Sequence, residues 1–312
     1  MFDLDELLAM DLDLVHVCTP VQTHLPIARS AIEAGVATLV EKPVTENREE
    51  LEELQSLADR HDVPVSVVHQ HLFDPAVRKA RRRIQDGSLG EIRGVNLLYL
   101  GLTRPDEANR GTWVFDLPGG EFEEGLPHPI YLTLGTGGYP RDESGIQTLT
   151  TLVGDYGGKF SYDNAQVQYA TESGALCSVT MSSRGQPERL LHIQGEEGSL
   201  LIDLVTQSTV PVTRNYTGSP VNKARKNIDG SMGLVKGLFE NVKLVAENSY
   251  SDDWESAKRL RPHYYQIDAM VEAVRRGTEP PIPLEEAWWT MTVMQAIRDA
   301  STEQPVETMP VD

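Results

Sequence analysis

Ala37-Thr38-Leu39-Val40-Glu41-Lys42-Pro43 is the stretch that decides the fold. Four uncharged residues stop abruptly at an acid, a base and a proline, which reads as a buried strand whose exit carries a lysine. Lys42 stands apart from any diffuse basic surface, because the chain has eight lysines against twenty arginines and the next lysine is Lys79. Such a lysine is either a solvated ammonium in a turn or a group that handles a hydroxyl, and the surrounding sequence has to choose.

Upstream lies a second apolar run, Leu14-Val15-His16-Val17-Cys18, ended by Thr19 and Pro20. Downstream, Val63 to Val68 supplies a third, β-branched run. Helical patterns alternate with these strands. Leu4, Leu7 and Leu8 share one face of a loose first helix; Leu25, Ala28, Ala31 and Ile32 line the next, and Gly35 stops it. Asn47 and Glu50 stand in capping-box spacing before Leu51, Leu54, Leu57 and Ala58. Asp74 before Pro75 starts a helix with Val77, Ala80 and Ile84 inward, closed by Gly87. Alternation at this spacing requires right-handed crossovers, hence an α/β fold with a parallel sheet.

From Ile92 the pattern changes to strands separated by turns. Gln166–Ala170 and Ala175–Met181 flank Thr171-Glu172-Ser173-Gly174, and Leu190–Gln194 and Leu200–Asp203 flank Gly195-Glu196-Glu197-Gly198. Both predict hairpins of an open antiparallel sheet. Residues 215–260 are polar and weakly periodic, predicting an excursion with short helices that could serve as a lid. Two helices close the chain, one lined by Tyr264, Ile267, Val271 and Val274, the other by Trp289, Val293, Ala296 and Ile297. The expected division is residues 1–90, a parallel-sheet domain, and residues 91–312, an α+β domain.

At 312 residues and a formal charge of −19, spread along the chain, nucleic acid and anionic membranes are excluded as main partners. Abundant Asp and Glu with scarce Lys suit a very salty cytosol, where screening weakens self-repulsion. Cys18 and Cys177 form no Cys-x-x-Cys pair, so neither a disulfide framework nor a zinc site is expected, and a reduced, cytoplasmic setting fits. Met1–Met10 holds three acids and no base, unlike a secretory or transit peptide. No apolar run approaches the roughly 20 residues that span a bilayer.

Ligands of an open parallel sheet bind beyond the carboxyl ends of its strands. Here those ends are Thr19-Pro20, Glu41-Lys42-Pro43 and His69-Gln70-His71. A second cluster lies between Trp113 and Tyr131, where Gly119-Gly120 precedes Glu124, Pro127, His128 and Tyr131. A histidine between two prolines marks a helix entrance with a fixed imidazole. His69 and His71 have metal-ligand spacing without a third ligand, so no metal is expected. His16 reads as a packed residue, Trp288 and Trp289 as core, and Arg78 to Arg83 as a solvated face. Trp113 either covers a substrate or only packs, and Glu124 either orients His128 or is an exposed carboxylate.

These segments together resemble the glucose-fructose oxidoreductase and inositol dehydrogenase family, written Gfo/Idh/MocA. The resemblance rests on Thr19-Pro20 with His24, on Glu41-Lys42-Pro43, on Phe73-Asp74-Pro75-Ala76-Val77 through Gly87-Ser88-Leu89-Gly90-Glu91-Ile92, on Gly119-Gly120 to His128, and on Gln266 to Ile297. It implies an NAD- or NADP-dependent oxidoreductase acting on a sugar or polyol, with Lys42 and His128 as catalytic residues. It further implies cofactor contacts from Thr19, Pro20, His24, Glu41, Lys42 and His69, and substrate contacts from Lys42, Trp113, Glu124, His128 and Tyr131. A homo-oligomer through the antiparallel-sheet domain is part of the same expectation. The runner-up is a sugar- or nucleotide-sensing protein without turnover.

Two departures stand out. Where the family has Asp-x-Gly-x-His-x-x-Asp, this chain has Glu124, Leu126, His128 and Tyr131, so one helper carboxylate is lengthened and the other is a phenol. A dinucleotide fold also needs Gly-x-Gly-x-x-Gly after its first strand, yet residues 1–86 contain only Gly35. The expected fold is therefore a partial doubly wound sheet lacking its first half, with the strand at 14–18 as an open edge. A start assigned too far downstream, favoured because Leu14, Val15 and Val17 suit burial, competes with a truncated remnant and with an edge that pairs with another chain.

Overall fold

The computed structural model describes residues 3–101, 111–212, 219–250 and 254–303. A short helix α1 (Leu4–Leu8) leads into strand β1 (Leu14–Val17), helix α2 (His24–Glu33), strand β2 (Ala37–Val40), helix α3 (Arg48–His61), strand β3 (Val65–Val67) and helix α4 (Pro75–Gln85). The strands lie in the order β1-β2-β3, all parallel, with Val17 opposite Val40 and Val40 opposite Val67. Equal register puts all three exits at one level. The strand β2 is buried along its whole length. In β1 Val15 and Val17 are buried while Leu14 and His16 are half-exposed, as suits the outer strand of this sheet.

Local signals act as their chemistry dictates. Asn47 Oδ1 accepts the Glu50 N–H at 2.9 Å, and the Glu50 carboxylate reaches the Glu46 N–H at 3.1 Å, one residue earlier than a capping box places it. Gly35, at φ +77°, lets the Val36 N–H turn back to the Ala31 carbonyl at 2.9 Å and end α2.

Strand β4 (Ile92–Leu100) opens the second sheet, followed by helices α5 (Glu121–Gly125) and α6 (Pro127–Gly137) and strands β5 (Gln147–Thr151), β6 (Asn164–Ala170), β7 (Leu176–Ser182), β8 (Glu188–Gly195), β9 (Ser199–Asp203) and β10 (Ser208–Val212). Both expected hairpins form, β6 with β7 and β8 with β9. The sheet order is β10-β9-β8-β4-β7-β6-β5. It is mixed rather than purely antiparallel, because β4 and β7 pair in parallel while every other neighbour runs antiparallel. The hairpins and their neighbours spread to both sides of β4, so β4 ends between two strands that arrive from opposite directions. Helix α6 covers the inner face so closely that a Cβ on Gly137 would stand 2.6 Å from Cys177 Sγ.

The remaining chain forms helices α7 (Pro220–Tyr250), α8 (Trp254–Leu260), α9 (Pro262–Arg276) and α10 (Leu284–Glu303). The expected excursion of short helices at 215–260 is instead dominated by one helix of 31 residues, lying along β10 at the far edge of the second sheet and not over the strand exits; residues 215–218 and 251–253 lie outside the described residues. Gly230, Gly233 and Gly237 depress its intrinsic helicity and masked it in the sequence. Packing explains two of them: a Cβ on Gly233 would meet Val210 at 3.3 Å, and one on Gly237 would meet Ser208 at 2.7 Å.

The closing helices return to the first sheet. The Ile282 carbonyl accepts from the Ser66 hydroxyl at 2.8 Å and the Val67 N–H at 3.3 Å, and Gln266 donates to the Val67 carbonyl at 2.7 Å. The outer edge of β3 is thereby closed by residues more than 190 positions away.

Candidate active site

The exit of β2 delivers Lys42 to the start of the helices of the second lobe. Its Nζ donates to the Glu124 carbonyl oxygen at 3.0 Å and forms a close ion pair with the Glu124 carboxylate, both side chains being about nine-tenths buried. The peptide bond between Lys42 and Pro43 is cis. Glu124 is therefore no exposed carboxylate: it holds the ammonium.

His128, half-buried on the first turn of α6, is oriented by the phenol three residues on. Tyr131 is buried, and burial pushes its hydroxyl well above the ordinary phenol value, so it stays protonated. Its one proton goes to Gln70 Oε1 at 3.2 Å, while the oxygen accepts the His71 N–H at 3.2 Å and meets His128 Nδ1 at 2.9 Å. With the phenol proton on the Gln70 side, Nδ1 is the donor to Tyr131 and Nε2 the basic nitrogen of the ring; with the Gln70 amide turned over, the phenol donates to Nδ1 instead. The His71 ring meets His128 edge-on at 4.9 Å and is itself tied to Asp74 at 2.9 Å.

His69 stacks on Tyr131 with 4.2 Å between ring centroids. Burial, with a lesser push from Arg81, drives its pKa down to about 3, so the ring is neutral. Its Nδ1 makes no hydrogen bond among the described residues. Lys42, Pro43, His69 and Pro127 border one small hollow closed by Thr290 and Met291 of α10.

The remaining expected residues divide. Thr19 and Pro20 lie exposed at the exit of β1. His24 is buried with its ring between two main-chain carbonyls, Nδ1 3.0 Å from that of Pro43 and Nε2 2.7 Å from that of Thr19, of which a neutral ring donates to one, so it lies between two exits instead of facing outward. Burial pushes the Glu41 carboxyl up, yet the hydrogen bond and charge of His16, with Lys42 and His263, outweigh it and hold the group below its ordinary value. Trp113 sits half-buried on a 3-10 turn (Thr112–Asp116). Gln70, His71, Asp74 and His263 escaped the sequence reading as site residues, although Gln70 and His71 stood in a strand exit that it singled out.

His16 Nε2, Cys18 Sγ and a Glu41 oxygen lie within 4.8 Å of one another, a set of donors able to take a divalent cation. The Cys18 thiol is pushed above its ordinary value by partial burial and by the Glu41 charge, so capture of a cation would have to displace its proton.

For a nicotinamide dinucleotide the residues fit at one end. The level strand exits, the aligned Lys42 ammonium and the unsatisfied Nδ1 of buried His69 present donors and a flat wall to a polar ring. At the phosphate end, the described part of residues 1–86 offers only Gly35, which ends α2 and has open space where a Cβ would stand.

Comparison with known proteins agrees with this geometry. Residues 1–69 match the model of the oxidoreductase family with an NAD-binding Rossmann fold, GFO_IDH_MocA, and residues 77–201 match the model of the GFO/IDH/MocA C-terminal domain. Uncharacterized oxidoreductase YhhX of Escherichia coli is 41% identical over 91 residues, 29% of this chain and 26% of that protein. Inositol 2-dehydrogenase of Rhizobium meliloti is 24% identical over 222 residues, 69% of this chain and 64% of that protein, so the matches span less than two thirds of either relative. The WlbA dehydrogenase of Bordetella pertussis, solved with NADH and UDP-GlcNAcA, superposes with a TM-score of 0.70 at 18% identity, covering 97% of this chain and 82% of that one.

Proposed function

The chain belongs to the Gfo/Idh/MocA oxidoreductase family, and from that premise we propose that the seam between its lobes oxidises a carbinol, or reduces the matching carbonyl, of a sugar or polyol. Residues 1–90 would form the nucleotide side and residues 91–312 the substrate and self-association side. Glu41, Lys42 and His69, with Thr19 and Pro20, would line the nicotinamide end, and Trp113, Glu124, His128 and Tyr131 the substrate end. A bound NAD or NADP supplies the two-electron acceptor or donor.

The observation that carries this reading is a buried ammonium from one lobe, held by Glu124, four residues ahead of a His128 imidazole that Tyr131 orients from the other. As a carbinol is oxidised, its hydroxyl proton must leave and negative charge grows on its oxygen. Nε2 of His128 takes that proton, and the Lys42 ammonium stabilises the oxygen. Glu124 keeps Lys42 charged and aimed, and Tyr131, which does not ionise, holds the ring by Nδ1; with Nδ1 protonated, the acceptor is Nε2. Two thiols without a disulfide, and the lack of any helix among the described residues long and apolar enough to cross a membrane, support a cytoplasmic setting.

The test is a panel of sugars and polyols assayed by absorbance of reduced cofactor, beside NADH titration by fluorescence. Turnover on at least one polyol that disappears in Lys42→Ala and His128→Ala, with NADH binding kept by His128→Ala, is the expected result; turnover unaffected by either substitution overturns it. The runner-up is a sensor without turnover. Saturable sugar or nucleotide binding with no turnover on the panel would establish that reading instead.

A further inference from the structure

Ten of the eighteen large apolar side chains exposed among the described residues lie on α7 alone. Five of them, Ile228, Met232, Val235, Phe239 and Val242, follow one another at alternating intervals of four and three and are each 51–68% exposed. That interval is the seam of a coiled coil, which specifies another helix as occupant. The opposite side of α7 is already used: Gly233 and Gly237 press on β10, Asn241 donates to the Thr206 carbonyl, and Glu240 pairs with Lys79.

We propose that the exposed seam of α7 packs antiparallel against α7 of a second copy of this chain. The proposal rests on the reading that the second lobe self-associates, and it names the surface. Charge selects the occupant. A chain of −19 repels its own copy over most of its surface, yet α7 carries five basic residues against three acidic ones, including four of the eight lysines. Asp229, Lys236 and Lys243 flank the seam at equivalent positions on one side, so an antiparallel pair centred at Lys236 sets each Asp229 against Lys243 of the second copy, two attractive pairs against one repulsive meeting of the two Lys236 side chains. Leu234, Leu238 and Val245 widen the seam on its other side, and an anionic membrane fits less well because it would face −19 on the whole chain with an excess of only two positive charges on α7 and no Asp229–Lys243 pairing in return.

Light scattering on the eluting full chain at micromolar concentration should give a multiple of 34.6 kDa. The pair Val235→Asp and Phe239→Asp should weaken association at α7 by about a hundredfold or more. In a Cys18→Ser background, Leu238→Cys, beside the predicted axis, should form a disulfide between copies under mild oxidation, which reports the contact even if the aspartate pair unfolds. A single-chain mass for the wild type overturns both this proposal and self-association. A multiple mass kept by the aspartate pair, with no cross-link through Leu238→Cys, overturns α7 as the surface and leaves self-association through the sheet standing. Flotation of a single-chain protein with vesicles of anionic lipid, lost in the aspartate pair, overturns the proposal in favour of a membrane.

Discussion

Helices α6 and α7 belong to the same lobe and treat water in opposite ways. Helix α6 is buried along most of its length, and its polar atoms are spoken for: Tyr131 serves three partners, and the Thr133 and Thr136 hydroxyls bond back to carbonyls one turn earlier. Helix α7 is three times as long and leaves its apolar stripe in solvent. Saturated polar groups in a dry seam fix protonation states, which is what proton transfer needs; unsatisfied apolar groups in water drive association, which is what a partner needs. On the proposed reading, one lobe keeps its chemistry and its contacts on separate helices.

The sharpest way to break this contrast is at the seam. His128→Ala should lower turnover by about 10²–10⁴-fold, measured as kcat on the best polyol, because a positioned base is lost. A smaller loss in Tyr131→Phe, with the pH profile of kcat/KM displaced, would show that the phenol acts through the imidazole and not on substrate. Next comes stability. Glu123 is 1% exposed and is held by Arg298, the Gly119 N–H and the Tyr162 hydroxyl. Arg298→Met should cost about 3–5 kcal/mol in denaturant unfolding by stranding that carboxylate, and adding Glu123→Gln should recover much of it.

The pH dependence is gentler. Folding lowers the His69 pKa from 6.5 to about 3, so between those values the unfolded chain binds the proton that the native state refuses. Stability from the neutral ring is fully present above pH 6.5 and drains away as pH falls through the window, at about 1.4 kcal/mol per pH unit. His69→Phe should flatten that slope in unfolding curves measured at several pH values. The smallest effect belongs to α7: Ile228→Ser, at concentrations where chains are single, should shift unfolding by less than about 0.5 kcal/mol. A loss of several kcal/mol there would mean the residue is packed within its own chain, and the contrast between the helices would collapse.

Much of the first lobe was legible because its signals are local. The runs around Val17, Leu39 and Val67 lack polar alternation, and Asn47, Gly35 and Pro75 punctuate the helices between them. The level exits of Thr19, Lys42 and His69 followed from a parallel sheet. The partners of those exits were not legible, since they depend on which side chains meet across lobes. Lys42 finds Glu124 82 positions away, and Arg298 finds Glu123 175 positions away. Helix α7 was hidden for a different reason: its glycines serve contact with β10, which no propensity argument anticipates. The parallel pairing of β4 with β7 likewise depends on the order of strands in space.

The closure of β3 by Ile282 bears on how the protein is made. Ser66 and its acceptor are 216 positions apart, and at roughly 5–20 residues per second a ribosome needs roughly 10–40 s to deliver the second after the first. Throughout that interval the nascent first lobe carries an unpaired rim, which favours a holding chaperone or slow initiation, and which makes the yield of native protein sensitive to the pace of translation.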